Sequence, residues 1–181
     1  MQGYNAYGTV GDNTTTTPRV LPTPVVTAAG GATWQTIPHR IITSGTSLPA
    51  HMCGILSDAS LACWGYGGNG QLGLGTTNNA KLPTAINTTT SSSSWYAVSV
   101  GYLFTCAISI DWRMYCWGYN AAGQLGDATT VAQRLLPVEV YAGGYWIQLS
   151  SGLDATCGVR SDKSLRCAWQ QIRTGVGWTG K

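Results

Sequence analysis

Charge is scarce in this sequence. Asp, Glu, Lys and Arg make up 9% of its 181 residues and sum to a formal +3, against roughly 25% charged residues in an average soluble protein. So little charge, so scattered, supplies no field for a nucleic-acid or membrane surface. Long apolar runs are missing too, and none approaches the roughly 20 residues of a membrane span. Phenylalanine occurs once. There is no CxxC, HExxH, GxSxG, phosphate loop or dinucleotide fingerprint. These absences exclude collagen, coiled coil, a long helical bundle and a charged disordered tail. What remains is rich in Ser and Thr, with 24 Gly, 8 Trp and 9 Tyr, a composition of short strands and tight turns.

The chain repeats itself. Cys53-GILSDASLA-Cys63-Trp64-Gly65, Cys106-AISIDWRMY-Cys116-Trp117-Gly118 and Cys157-GVRSDKSLR-Cys167 each hold two cysteines ten positions apart, recurring at intervals of 53 and 51 residues. Gly70-Gln71-Leu72-Gly73 and Gly123-Gln124-Leu125-Gly126 follow the tryptophans, with Gly8-Thr9-Val10-Gly11 as a weaker copy. Pro22, Pro83 and Pro137 keep step, and Trp34, Trp95 and Trp146 open the next apolar stretch. The units fall at about 3–64, 65–117 and 118–169, leaving a tail at 170–181. Unit 1 carries extra residues within Thr36–Ala50, which reads as a longer surface loop. Unit 3 has Ala168 between Cys167 and Trp169, where a bulge or frayed end is expected.

Hairpin arithmetic pairs the cysteines. Opposed residues of an antiparallel hairpin share a constant index sum. One register sets Cys53 against Cys63 and Ile55 against Leu61. The same register gives Cys106/Cys116 with Ile108/Met114, and Cys157/Cys167 with Val159/Leu165. A slip of one residue would send every pair to the opposite face. The apex falls at Asp58, Asp111 and Asp162, a residue type suited to turns. Three hairpin disulfides follow: Cys53–Cys63, Cys106–Cys116 and Cys157–Cys167. Structural zinc sites, the rival use, place Cys pairs two to four residues apart. Disulfides imply an oxidising compartment, hence secretion or surface display. Asn13-Thr14-Thr15 and Asn87-Thr88-Thr89 are glycosylation sequons in expected surface loops, as a secreted chain would carry.

Candidate chemistry is thin. His51 occupies a repeat position and is expected to support a turn by hydrogen bonding; His39 lies beside Arg40 in the inserted loop. Asp58, Asp111 and Asp162 are apex residues, and Asp12 and Asp127 occupy matching turns, which suits structural rather than catalytic use. Neither a metal site nor a cofactor is expected. The repeat-locked tryptophans are packing residues. Trp112, at a hairpin apex, and Trp178, in the tail, lie outside that pattern and are contact candidates.

His51-Met52-Cys53-Gly54-Ile55-Leu56, Asp58, Leu61-Ala62-Cys63-Trp64-Gly65, Gly70-Gln71-Leu72-Gly73-Leu74-Gly75 and Pro83 together resemble the repeat of the regulator of chromosome condensation family. The resemblance covers 3–169, and Trp117–Gly126 matches most of the WGxNxxGQLGxG signature. It implies an all-β fold in which each repeat gives a four-stranded antiparallel propeller blade. The paired cysteines resemble those of extracellular or bacterial members. Phe104 and Ala155 replace the histidine matched by His51, and Gln170-Gln171 ends the repeat.

About three blades make an arc with open ends. The disulfide face of each blade and the face bearing Trp64, Tyr115 and Trp117 should pack on neighbours, so uncovered ends invite association. The chain opens in mid-unit, as a mature piece or a fragment of a longer chain would. The missing part of that chain, or other copies, would then complete the ring, with Gln170–Lys181 as a candidate exchanged strand. The expected function is a non-enzymatic extracellular structural module of a multimeric, filamentous, glycosylated surface assembly. A secreted protein-binding or inhibitor propeller is the alternative, and a guanine-nucleotide exchange factor the weakest reading. Expected partners are other copies, proteins or glycans, without nucleic acid or membrane insertion.

Overall fold

The computed structural model describes residues 5–17, 21–26, 32–37, 50–89, 92–140 and 144–169. These form strands and turns only. Strands β1 (Trp34–Thr36), β2 (His51–Leu56), β3 (Leu61–Gly65) and β4 (Ala80–Ala85) make one antiparallel sheet in sequential order. A second contains β5 (Trp95–Val100), β6 (Phe104–Ser109), β7 (Met114–Tyr119) and β8 (Gln133–Glu139). The third contains β9 (Trp146–Ser151), β10 (Ala155–Arg160) and β11 (Leu165–Trp169). The all-β expectation holds, with two four-stranded blades and a third of three strands among the described residues.

The central hairpin of every blade has the register that its sequence dictates. Cys53, Cys106 and Cys157 oppose Cys63, Cys116 and Cys167, and Ile55, Ile108 and Val159 oppose Leu61, Met114 and Leu165. All three cysteine pairs are disulfide-bonded, with Cα atoms 4.0, 4.1 and 4.0 Å apart, as suits directly facing, non-hydrogen-bonded positions. The loops are three residues long. In the first, Ala59 N–H donates to Leu56 O and Leu56 N–H to Ser60 O, both at 2.9 Å. Ala59, Trp112 and Lys163 take the left-handed residue of this turn, with φ of 64°, 65° and 68°. Asp58 Oδ1 accepts from Ser60 N–H and Oγ–H, and Asp162 does the same from Ser164; Ser109 Oγ donates to Asp111.

The blades stack face to face. Cys53, Ile55, Leu61 and Cys63 of the first meet Trp95, Val98, Tyr115 and Trp117 of the second in one buried cluster. Cys106, Ile108, Met114 and Cys116 of the second meet Trp146 and Leu149 of the third in another. The first two hairpin apices also reach the following blade: Trp95 N–H donates to Ala59 O and Trp146 N–H to Trp112 O, both at 2.8 Å.

Sheet and sequence repeat are out of phase by one strand. Unit 65–117 runs from the turn after β3 through β4 and on to β7, so it ends one blade and begins the next. The expected bulge at Ala168 is not there. Thr156 opposes Ala168 and Ala155 opposes Trp169 without a register shift, as Thr105 opposes Trp117 and Phe104 opposes Gly118. Ala168 is therefore a replacement for the blade tryptophan and not an insertion. Its ladder runs straight because the disulfide pins the pairing and leaves nothing to absorb. Trp169 takes the place of Gly65 and Gly118, whose φ angles are 98° and 105°.

Candidate interaction surface

The Gly70–Gly73 loop and its weaker copy Gly8–Gly11 each latch onto the blade that follows. Gln71 O accepts from Trp117 Nε1 at 2.9 Å, and Thr9 O accepts from Trp64 Nε1 at the same distance. Gly73 permits the first approach, because a Cβ there would lie 2.8 Å from Trp117 Nε1; Gly11 stands likewise 2.9 Å from Trp64 Nε1. Leu72 and Leu125 insert fully buried beneath these turns.

A buried relay reinforces the first latch. Thr105 Oγ1 donates to Gln71 O at 2.9 Å and lies 2.8 Å from His51 Nε2. Since the only hydroxyl proton of Thr105 goes to the carbonyl, His51 must donate from Nε2. His51 thus bridges two blades, and its support of the Gln71 turn runs through Thr105. Its partner sits across the blade interface, a placement that adjacency in sequence does not report. Phe104 fills the corresponding place in the second blade. Thr105→Val keeps the shape and removes both bonds, and should cost about 1–3 kcal/mol in chemical denaturation because buried polar atoms lose their partner.

Loop geometry repeats where its sequence repeats. Asn120 Oδ1 accepts from Leu125 N–H and its Nδ2 donates to Asp127 and Thr129 O; Asn5 Oδ1 accepts from Val10 N–H and its Nδ2 donates to Thr14. Asp12 and Asp127 each accept from a threonine two residues on. Burial of Asp127 pushes its carboxyl up, but bonds from Thr129 and Arg134 outweigh that and hold it below the usual 3.8. Arg134 Nε lies 2.7 Å from Asp127 Oδ2, and the Asp127 side chain is 5% exposed. The folded state therefore binds this proton more weakly than the unfolded chain. The resulting stabilisation is complete above about pH 5 and disappears as pH falls through the lowered value. An acid titration of stability should be flatter below about pH 5 in Asp127→Asn than in the parent chain.

The third blade departs from this pattern at its outer side. Leu165 is 64% exposed, whereas the equivalent Leu61 and Met114 are each 2% exposed. Cys157, Val159 and Cys167 are partly exposed on the same face, while the other four cysteines are fully buried. Among the described residues, strand β11 stands at the sheet edge. The Gln124 loop, between β7 and β8, also faces open space: a Cβ on Gly8 or Gly70 would meet Lys81 or Leu135 of the following fourth strand, but one on Gly123 would meet nothing within 4 Å. Ala168 brings no indole to the Gln124 loop. Together these residues form an apolar, strand-edged end that in the other blades is covered.

The same repeat answers to a sequence profile. The profile described as the regulator of chromosome condensation (RCC1) repeat matches 60–108 and 113–159, and a second of that description matches 95–124. The chain belongs to the RCC1 repeat family. It is 29% identical over 131 residues to the ultraviolet-B receptor UVR8 of Arabidopsis thaliana, covering 70% of this chain and 29% of that protein. With the mitochondrial RCC1 domain-containing protein RUG3 of the same plant it shares 30% identity over 90 residues, 50% of this chain and 20% of the relative. The chain thus spans less than a third of the length of these relatives. Among solved structures, human WBSCR16 superposes with a TM-score of 0.74 at 17% identity, covering 92% of this chain and 42% of that one. Prp20p of Saccharomyces cerevisiae gives 0.68 at 14% identity, covering 92% and 38%. At such identities the likeness establishes the propeller fold alone.

Within this RCC1 arc the sequence-based candidates scatter. Trp112 stands at the second apex, 38% exposed, with its ring 4.8 Å from Tyr96. Asn13 is exposed, and Asn87 is partly buried with its Oδ1 accepting from Thr89 N–H. Trp178, His39, Arg40 and the 170–181 tail lie outside the described residues. Among the described residues, no three His, Cys, Asp or Glu side chains group as metal ligands. Sequence reading passed over Thr105 and Tyr96. A polar residue recurring at 105 and 156 inside apolar strands was the available signal for the first; nothing marked the second.

Proposed function

We propose that this chain is a non-enzymatic extracellular structural and interaction module, a subunit of a multimeric, filamentous and glycosylated surface assembly built by association of open blade ends. The observation that carries this reading is the third blade's disulfide face, exposed here although its two counterparts are buried within the same molecule. A contiguous apolar end of this kind is a contact surface. Three disulfides favour an oxidising compartment, and the exposed sequon at Asn13 favours glycan attachment. Units 3–64, 65–117 and 118–169 serve as repeating building pieces, with 170–181 as a tail. The fold also suits protein contact: the related Prp20 has been crystallised bound to Kap60. Secretion from a eukaryotic host tests the reading. The product should contain no free thiol and carry mass on Asn13 and Asn87 that a glycosidase removes. Six free thiols in native material would sink it.

A secreted binding or inhibitor propeller is the second reading, favoured by the exposed Trp112–Tyr96 pair. Trp112→Ala would abolish capture of a stoichiometric partner under that reading and leave the blade-end assembly intact under the first.

A further inference from the structure

We propose that the third blade is completed by residues 21–26 of a second copy, which enter as its fourth strand and join copies head to tail. This rests on the interaction-module reading above and specifies its partner.

Residues 5–17 and 21–26 already have the form of a latch loop and a fourth-strand segment. Val26 N–H donates to Gly11 O at 3.1 Å, as Asn87 N–H donates to Gly73 O at 2.9 Å. A Cβ on Gly11 would meet Val25 Cγ1, as one on Gly126 would meet Val140 Cγ1. Pro22 stands in the repeat where Pro83 of β4 and Pro137 of β8 stand. Yet 21–26 lie in no strand, and Leu21 and Val26 are 71% and 48% exposed. Among the described residues, one end therefore holds a fourth-strand segment that pairs with no hairpin. The other holds a hairpin, β10–β11, without a fourth strand among the described residues.

The register follows from the two complete blades. Thr84 and Val138 oppose Cys63 and Cys116, and Ala85 and Glu139 oppose Ala62 and Tyr115. Thr23 then faces Cys167 and Pro24 faces Arg166. Ile86 N–H donates to Leu61 O at 3.1 Å and Val140 N–H to Met114 O at 2.8 Å, so Val25 N–H should reach Leu165 O. Successive residues point their N–H groups to opposite sides of a strand. Pro22 and Pro24 fall on positions whose N–H would face away from β11, the one place in a strand where proline costs no ladder bond. The incoming strand also fills the open side of Gly123. Behind it, the second copy's first blade covers Leu165 just as the second blade covers Leu61. Such a contact is heterologous. It makes a ring if the rotation closes and a filament if it does not.

Two variants, one at each end, test this in the 181-residue chain with its disulfides intact. Leu165→Glu charges the accepting face at a site exposed in the single chain. Val25→Pro removes the donating N–H. The parent chain should sediment as multiples of 19.1 kDa, and each variant alone as a monomer. Mixed one to one, the variants should give a dimer and stop there, since each retains one working end; that dimer also reports that both fold. Wild-type monomer at every concentration, variants that assemble like the parent, or a mixture that stays monomeric would each overturn the proposal. A monomer with three disulfides that still bound a different protein stoichiometrically would remove strand exchange and leave the interaction module standing. Free thiols in native material would remove the latter.

Discussion

Trp117→Ala should destabilise the chain by about 3–5 kcal/mol, the range for truncating a large buried aromatic. Trp117 is fully buried, lies 6.0 Å from the Trp95 ring, and donates its indole N–H to Gln71 O, which Thr105 of the same blade also engages. Truncation empties the space under Gly73 and removes that bond at once. Collapse is hindered on both sides, because Gly73 is held by Gly70 O and Asn87 N–H and the opposite wall is the Cys53–Cys63 face. The loss is a large share of the roughly 5–15 kcal/mol by which a domain is stable. Ala168 is the internal control. It already occupies the tryptophan position in the third blade, so Ala168→Gly should cost far less, about 1 kcal/mol or below. Urea denaturation of both variants measures the contrast, and equal losses would mean that the latch contributes nothing beyond ordinary packing.

The cysteine register, the apex aspartates and the matched Asp12 and Asp127 turns were legible in the residues alone, because strand pairing has a period of two and the repeat tests it three times. The phase of the repeat was not. A cyclic pattern gives its period but not where one sheet ends, so β4 was read into the following unit although it pairs with β3. Ala168 was misread for a related reason. Residue type matches Trp169 to Trp64 and Trp117, whereas the disulfide register matches Ala168 to them. Thr105 escaped notice because its role depends on two groups, His51 and Gln71 O, that only the stacking of blades brings together. What pairwise arithmetic within one hairpin determines can be read from sequence; what one blade does to the next needs the packing.

Replacing Cys106 and Cys116 together by alanine should cost about 2–5 kcal/mol, of which loop closure over ten residues accounts for about 2–3 in the chain-entropy view. The rest comes from emptying a fully buried site that packs against Trp146 of the next blade. The three bonds should not behave alike towards a reductant. A thiolate must reach a sulfur to attack it. Cys53–Cys63 and Cys106–Cys116 are sealed between blades, while Cys157–Cys167 lies at the uncovered end. Graded dithiothreitol with alkylation should therefore label Cys157 and Cys167 first, well before unfolding, and the other four cysteines only together with it. Simultaneous labelling of all six would mean that the blades part as readily as the end frays. If a second copy's first blade covers that end, the third bond should also resist reduction in assembled material and regain its sensitivity in Leu165→Glu, tying the redox order to the proposed contact face.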